Sequence, residues 1–197
     1  MMNPRTLTAR LPAAPPFVAS VGLVVFALGA SAQPAPVPEL LQDFVPVTDE
    51  MLREPVPENW ISFRNGYGLW GYSALDQITA DNVGGLQLVW SRAMNDGYQE
   101  VEPIVYNGVM FLANVEDIVE AVDATTGDLL WRYRRNLPDN IANVTGTRYR
   151  YRNVSIYDDK ILLATNDAFL VALDAKTGEV VWETQRADYR ERVAQTA

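Results

Sequence analysis

Residues Val105–Arg132 and Ile156–Glu183 are two copies of one pattern, aligned without a gap at a constant offset of 51 residues. Tyr106 matches Tyr157, Leu112-Ala113 matches Leu163-Ala164, Ala121 matches Ala172 and Asp123-Ala124 matches Asp174-Ala175. Thr126-Gly127 then matches Thr177-Gly178, and Trp131 matches Trp182. Apolar positions track apolar positions in between, as in Met110/Ile161 and Val119/Leu170. The unit reads as β. Val109–Asn114 and Lys160–Thr165 are short apolar runs that follow turn residues, Asn107-Gly108 and Asp158-Asp159. Ile118–Asp123 and Phe169–Asp174 form the next strand, and Leu129–Tyr133 and Val180–Thr184 the third. Between them lies the turn Asp-Ala-x-Thr-Gly-(Asp/Glu), in which Asp123 and Asp174 can accept from turn amides. Gly127 and Gly178 supply the positive φ that the turn requires. The tryptophan of the third strand offers a large apolar face to a neighbouring sheet.

Leu86–Ser91 reads as an earlier copy of the third strand, with Trp90 standing 41 residues before Trp131. Repeats of roughly 40–50 residues, each a small antiparallel sheet, point to an all-β fold of β-propeller type. A sandwich of repeated hairpins is the competing architecture. A propeller closes with about four to eight blades. The 197 residues hold two clear repeats and parts of one or two more, so the chain is expected to be the first few blades of a ring.

The flanks carry different information. Residues 1–32 read as a signal peptide: Arg5 and Arg10 precede the apolar run Phe17–Ala30, and Ala30-Ser31-Ala32 gives a small-x-small cleavage site. At 14 residues, that run is short of the roughly 20 needed to span a bilayer; an uncleaved anchor is the alternative. Export to a bacterial periplasm is expected. Residues 33–57 are rich in proline and read as an arm lying on the domain, with a short helical turn at Asp49–Arg53, or else as a disordered spacer. Residues 58–197 form the partial propeller.

Composition narrows the chemistry. With no cysteine and no histidine, disulfides, thiolate or imidazole zinc sites, cysteine nucleophiles and Ser-His-Asp triads are excluded. A net charge of −9 argues against nucleic acid as a partner. Carboxylate, hydroxyl or cofactor chemistry is left.

The repeat Ala-x-Asp-Ala-x-Thr-Gly-x-x-x-Trp, at Ala121–Trp131 and Ala172–Trp182, resembles the tryptophan-docking motif of the quinoprotein dehydrogenases. The resemblance extends upstream through Val47-Thr48-x-x-Met51-Leu52, Trp60, Tyr72-Ser73-x-Leu75 and Ile78-Thr79-x-x-Asn82-Val83-x-x-Leu86-x-x-x-Trp90, a pattern similar to the mature N-terminus of the alcohol-oxidising members. It implies an eight-bladed propeller using pyrroloquinoline quinone (PQQ) with Ca²⁺ or a lanthanide, alcohol as substrate and cytochrome c as electron acceptor. Gln99-Glu100-x-x-Pro103-Ile104-Val105 resembles the segment that sets a glutamate beside the quinone, which implies Glu100 as a cofactor contact. Read from the residues alone, Glu100 and Glu102 are equally exposed strand-edge acids. Arg152, in Tyr151-Arg152-Asn153-Val154, resembles the arginine that binds a PQQ carboxylate; the alternative is a solvated stripe of Arg148, Arg150 and Arg152. Thr196 falls where the family has a hydroxyl donor to PQQ.

The chain departs from the family where two adjacent cysteines form a disulfide ring over the cofactor: here stand Gly146-Thr147. The family's metal ligands, catalytic aspartate and tryptophan floor fall beyond Ala197, so no catalytic or metal-binding residue is assigned. The implied chemistry is hydride transfer from alcohol to the quinone, and the fragment by itself is expected to be inactive. A non-catalytic propeller scaffold of the outer-membrane assembly type shares the docking repeat and is the alternative.

Overall fold

A computed structural model describes residues 36–146, 150–151 and 153–193. In chain order the elements are α1 (Glu39–Gln42), α2 (Asp49–Arg53), β1 (Tyr98–Gln99), β2 (Ile104–Tyr106), β3 (Val109–Asn114), β4 (Ile118–Asp123) and β5 (Leu129–Arg134). They continue with α3 (Ile141–Thr145), β6 (Arg150–Tyr151), β7 (Ser155–Tyr157), β8 (Lys160–Ala164), β9 (Phe169–Asp174) and β10 (Val180–Gln185). The strands β2-β3-β4-β5 and β7-β8-β9-β10 form two four-stranded sheets, antiparallel throughout. These are two propeller blades.

Each blade follows the sequence repeat down to its irregularities. Trp131 pairs with Ala121 and Leu129 with Val122, so Leu130 is an extra residue in β5. Trp182 pairs with Ala172 and Val180 with Leu173, which makes Val181, the repeat equivalent of Leu130, the extra residue in β10. A bulge bends its strand and re-aims the next side chain, here the tryptophan in both copies. The turn before it is also built twice. Asp123 Oδ1 accepts from Thr125 N at 2.7 Å, and Asp174 Oδ1 accepts from Lys176 N and Thr177 N, both at 2.9 Å. Gly127 N and Gly178 N then donate to the carbonyls of Asp123 and Asp174, each at 2.8 Å.

The tryptophans join consecutive repeats. Trp131 Nε1 donates to Ala175 O at 3.0 Å, and its ring lies over Gly178, where a Cβ would come within 2.5 Å of the ring carbon Cε3. Trp90 does the same one repeat earlier, donating to Ala124 O at 3.1 Å over Gly127, with 2.8 Å to a Cβ. Trp131 is buried, and its ring centroid is 5.9 Å from that of Phe111. Phe111, Ala113, Val119, Ile161, Leu163 and Val171 belong to one buried cluster drawn from both blades.

The segment Leu86–Ser91 differs from the expected strand. It is extended but carries no ladder, and Leu88 and Val89 are exposed. A strand needs a partner for its amides and carbonyls, and the described residues offer none beside it. Trp90 holds it to the first blade, as does Arg92, whose Nε donates to Glu120 Oε2 at 3.0 Å. At the N-terminal side Leu41 and Val47 are buried in the core, and Val47 and Asp158 exchange backbone bonds of 2.8 and 2.9 Å. Thr48 caps α2 by accepting from Met51 N. Among the described residues no helix is long and apolar enough to cross a membrane.

Candidate functional site

The segments that lead into the two blades run side by side. β1 pairs in parallel with β6, Tyr98 opposite Arg150 and Gln99 opposite Tyr151. Glu102 N then donates to Asn153 Oδ1 at 2.8 Å. These contacts bring Tyr98, Gln99 and Glu102 against Arg150, Tyr151 and Asn153. Two of the three residues the sequence singles out lie next to the paired strands: Glu100 follows Gln99, and Arg152 follows Tyr151. Glu100 is exposed. Arg152, Thr196 and Thr147 lie outside the described residues. Gly146 ends α3 at φ 71°, with nothing within 4 Å of the place a Cβ would take.

The two acids near β1 have different surroundings. Glu102 is half-buried and structural: its Oε1 accepts from Trp60 Nε1 and, at 2.8 Å, from Arg64 N. It therefore fixes the loop that begins at Trp60, which also exchanges backbone bonds with Val105 on β2. Glu102, Trp60, Arg64, Trp70 and Val105 line a cavity of about 740 Å³; Glu100 is not among its walls.

The turn between β3 and β4 grips on both sides. Asn114, at the end of β3 and 2% exposed, accepts through Oδ1 from Asn95 N (3.2 Å), Gln99 Nε2 (2.6 Å) and Val115 N (2.9 Å). Asp117, fully buried, accepts from Asn166 N at 2.7 Å and Asn166 Nδ2 at 2.6 Å, which ties the turn to the second blade. Burial pushes the Asp117 carboxyl up to about 7, against the bonds from Asn166, which pull it down. Beside it Arg135 donates to Asp167 Oδ1 (2.6 Å) and Glu183 Oε2 (2.9 Å), and its guanidinium lies 4.4 Å from the Phe169 ring centroid. Glu120 behaves oppositely to Asp117. Burial acts to raise its carboxyl, but hydrogen bonds from Arg92 and Arg132 outweigh this and hold it below the usual range.

Sequence reasoning missed Asn114, Gln99 and Asn153. A signal existed for the first: Asn114 falls opposite Thr165 in the repeat, directly after the identical pair Leu112-Ala113 and Leu163-Ala164. Among the described residues no group of three or more acidic side chains is placed to hold a metal ion. For a tricarboxylate quinone the donor set is one-sided. Glu100, a carboxylate, is an acceptor by its chemistry, and Arg152 lies outside the described residues.

Residues 60–184 match the family model described as PQQ: glucose/ethanol/alcohol dehydrogenase, β-propeller domain. The dehydrogenase subunit of a quinone alcohol dehydrogenase from Komagataeibacter europaeus is 40% identical over 127 residues, 64% of this chain and 17% of that protein. The quinoprotein alcohol dehydrogenase PedH of Pseudomonas putida is 37% identical over 149 residues, 73% of this chain and 24% of that protein. Among solved structures, the quinohemoprotein alcohol dehydrogenase ADHIIG of Pseudomonas putida HK5 superposes with a TM-score of 0.71 at 32% identity, over 78% of this chain and 23% of that one. A europium-containing methanol dehydrogenase gives 0.65 at 28% identity, over 72% and 25%. The chain thus spans about a quarter or less of the length of these relatives. With two blades in register with its repeat, and with Trp90 and Trp131 each seated on the turn of the following repeat, the chain belongs to the PQQ glucose/ethanol/alcohol dehydrogenase β-propeller family.

Proposed function

We infer that this chain is the N-terminal part of a periplasmic PQQ-dependent dehydrogenase that oxidises alcohols, exported by the signal peptide at residues 1–32 and passing electrons to a cytochrome c. The observation that supports it most is the parallel pairing of β1 with β6, which brings the neighbours of Glu100 and Arg152 together. When bound, PQQ with Ca²⁺ or a lanthanide supplies a quinone that takes hydride from an alcohol carbon, with the metal as Lewis acid. The chain's own part is orientation. Glu100 would hydrogen-bond a carboxyl or the ring N–H of the cofactor, Arg152 would pair with a carboxylate through its guanidinium fork, and Thr196 would add a hydroxyl. Metal ligands and the residue that takes the alcohol proton are assigned to no position here, so the 197-residue chain supplies one wall of the site and does not turn over alcohol.

Titration of the purified chain with PQQ, followed by tryptophan quenching, tests the binding part. Weak saturable binding is expected, in roughly the micromolar-to-millimolar range, and reduced by Arg152→Ala. PQQ- and alcohol-dependent dye reduction by the chain alone would refute the assignment of catalysis to other parts of the enzyme.

A further inference from the structure

The two blades solve the same turn differently. In the second, Thr165 spends its hydroxyl locally: Oγ1 donates to Asp167 Oδ1 at 2.6 Å and accepts from Phe169 N at 2.9 Å. In the first, the repeat-equivalent Asn114 reaches outward to Asn95 N and Gln99 Nε2. Those two residues delimit the segment that ends one position before Glu100. β1 is two residues long and pairs with a two-residue β6, a ladder too short to be stable alone. The Gln99 amide ties it to the blade; its Nε2 also donates to Asn95 O at 3.2 Å, while Oε1 is buried without a partner. The grip of the blade on this segment thus runs from two donors, Asn95 N and Gln99 Nε2, to one acceptor on Asn114. Asn114 is buried, opposite Ile118 in the blade, and remote in sequence from the acid it steadies.

We propose that Asn114 is the positioning residue for Glu100: by fixing Asn95 and Gln99 it holds β1 in register with β6 and so sets where the Glu100 carboxylate stands toward the cofactor. The proposal rests on the reading of Glu100 as a PQQ contact. Asn114 touches no cofactor itself and acts only through the segment it anchors. Removing its acceptor leaves Gln99 Nε2 and Asn95 N to compete for water and frees the two-residue strand.

The test is a double-mutant cycle on PQQ affinity, measured by tryptophan quenching of the 197-residue chain, with urea unfolding alongside. Asn114→Ala is expected to weaken PQQ binding about tenfold, the worth of one well-made hydrogen bond. On a Glu100→Gln background the same change is expected to cost less than about twofold, because the group it positions is gone. Gln99→Ala, which leaves the blade interior intact, gives the same pattern and decides the matter if Asn114→Ala does not fold. Equal losses in both backgrounds, or no loss from either variant while Glu100→Gln still weakens binding, overturn the positioning role and leave the cofactor reading standing. No PQQ binding by the parent, or none of it sensitive to Glu100→Gln, overturns the cofactor reading and this inference with it.

Discussion

Replacing Gly178 by alanine tests the docking geometry directly. Two costs add at this site. The backbone stands at φ +73°, where an L side chain costs about 1–2 kcal/mol. The new Cβ would also lie 2.5 Å from Trp131 Cε3, and Trp131 is buried, bonded to Ala175 O and packed on Phe111, which resists its retreat. Forced overpacking of this kind costs about 1–3 kcal/mol. The sum, about 2–5 kcal/mol, is a large share of the ~5–15 kcal/mol that holds an ordinary domain together. Gly146→Ala separates the two parts, since Gly146 has nearly the same φ, +71°, and nothing within 4 Å of a Cβ. It is expected to cost the strain alone. Gly127→Ala should fall between them, because Trp90 stands 2.8 Å away on an unladdered segment that can shift. Urea unfolding followed by tryptophan fluorescence gives the three midpoints at constant slope. If Gly178→Ala is no less stable than Gly146→Ala, the tryptophan is not seated as described and the reasoning fails.

Trp131→Phe keeps most of the ring and loses the bond to Ala175 O, so a loss of about 1 kcal/mol is expected in the same assay, against about 3–5 for Trp131→Ala. Asp117 gives a pH signature. Its carboxyl stands near 7 in the fold against a reference of 3.8, so its contribution is fully present below about 3.8 and is lost as pH rises through about 7. Unfolding midpoints at pH 5 and pH 8 should differ less in Asp117→Asn than in the parent, and an unchanged difference would exclude Asp117 as the source. Arg132→Ala, at a side chain 51% exposed, is expected to cost less than about 1 kcal/mol. Glu120→Ala, which strands Arg92 against the blade, is expected to cost about 1–3 kcal/mol by thermal or urea unfolding.

The blades were legible because the repeat carried both period and punctuation. Val109–Asn114, Ile118–Asp123 and Phe169–Asp174 occupy the read positions, and the other three strands end within one residue of them. The first strand of each blade, Ile104–Tyr106 and Ser155–Tyr157, was not read, since three residues cannot display an alternation. Leu86–Ser91 has the composition of a strand, but a ladder is made by a partner and not by composition. From sequence alone Glu102, like Glu100, can be read as an exposed edge acid. Its bonds to Trp60 and Arg64 come from about forty residues upstream, a distance at which local pattern is silent. Asn114 was passed over for a related reason: an asparagine at a strand end reads as a turn former, and only the fold shows its oxygen facing Asn95 and Gln99.

The seating of each tryptophan has a direction. Trp90 enters the turn of the first blade and Trp131 the turn of the second, so in both cases the ring comes from the earlier residue and the seat from the later one. A ribosome delivers the chain in that order. When the turn around Gly127 or Gly178 emerges, the indole that covers it has already been made, and no seat waits for a residue not yet translated. Each finished blade is thereby a template for the one that follows, and assembly can proceed stepwise from the N-terminus with a single seam open at any time.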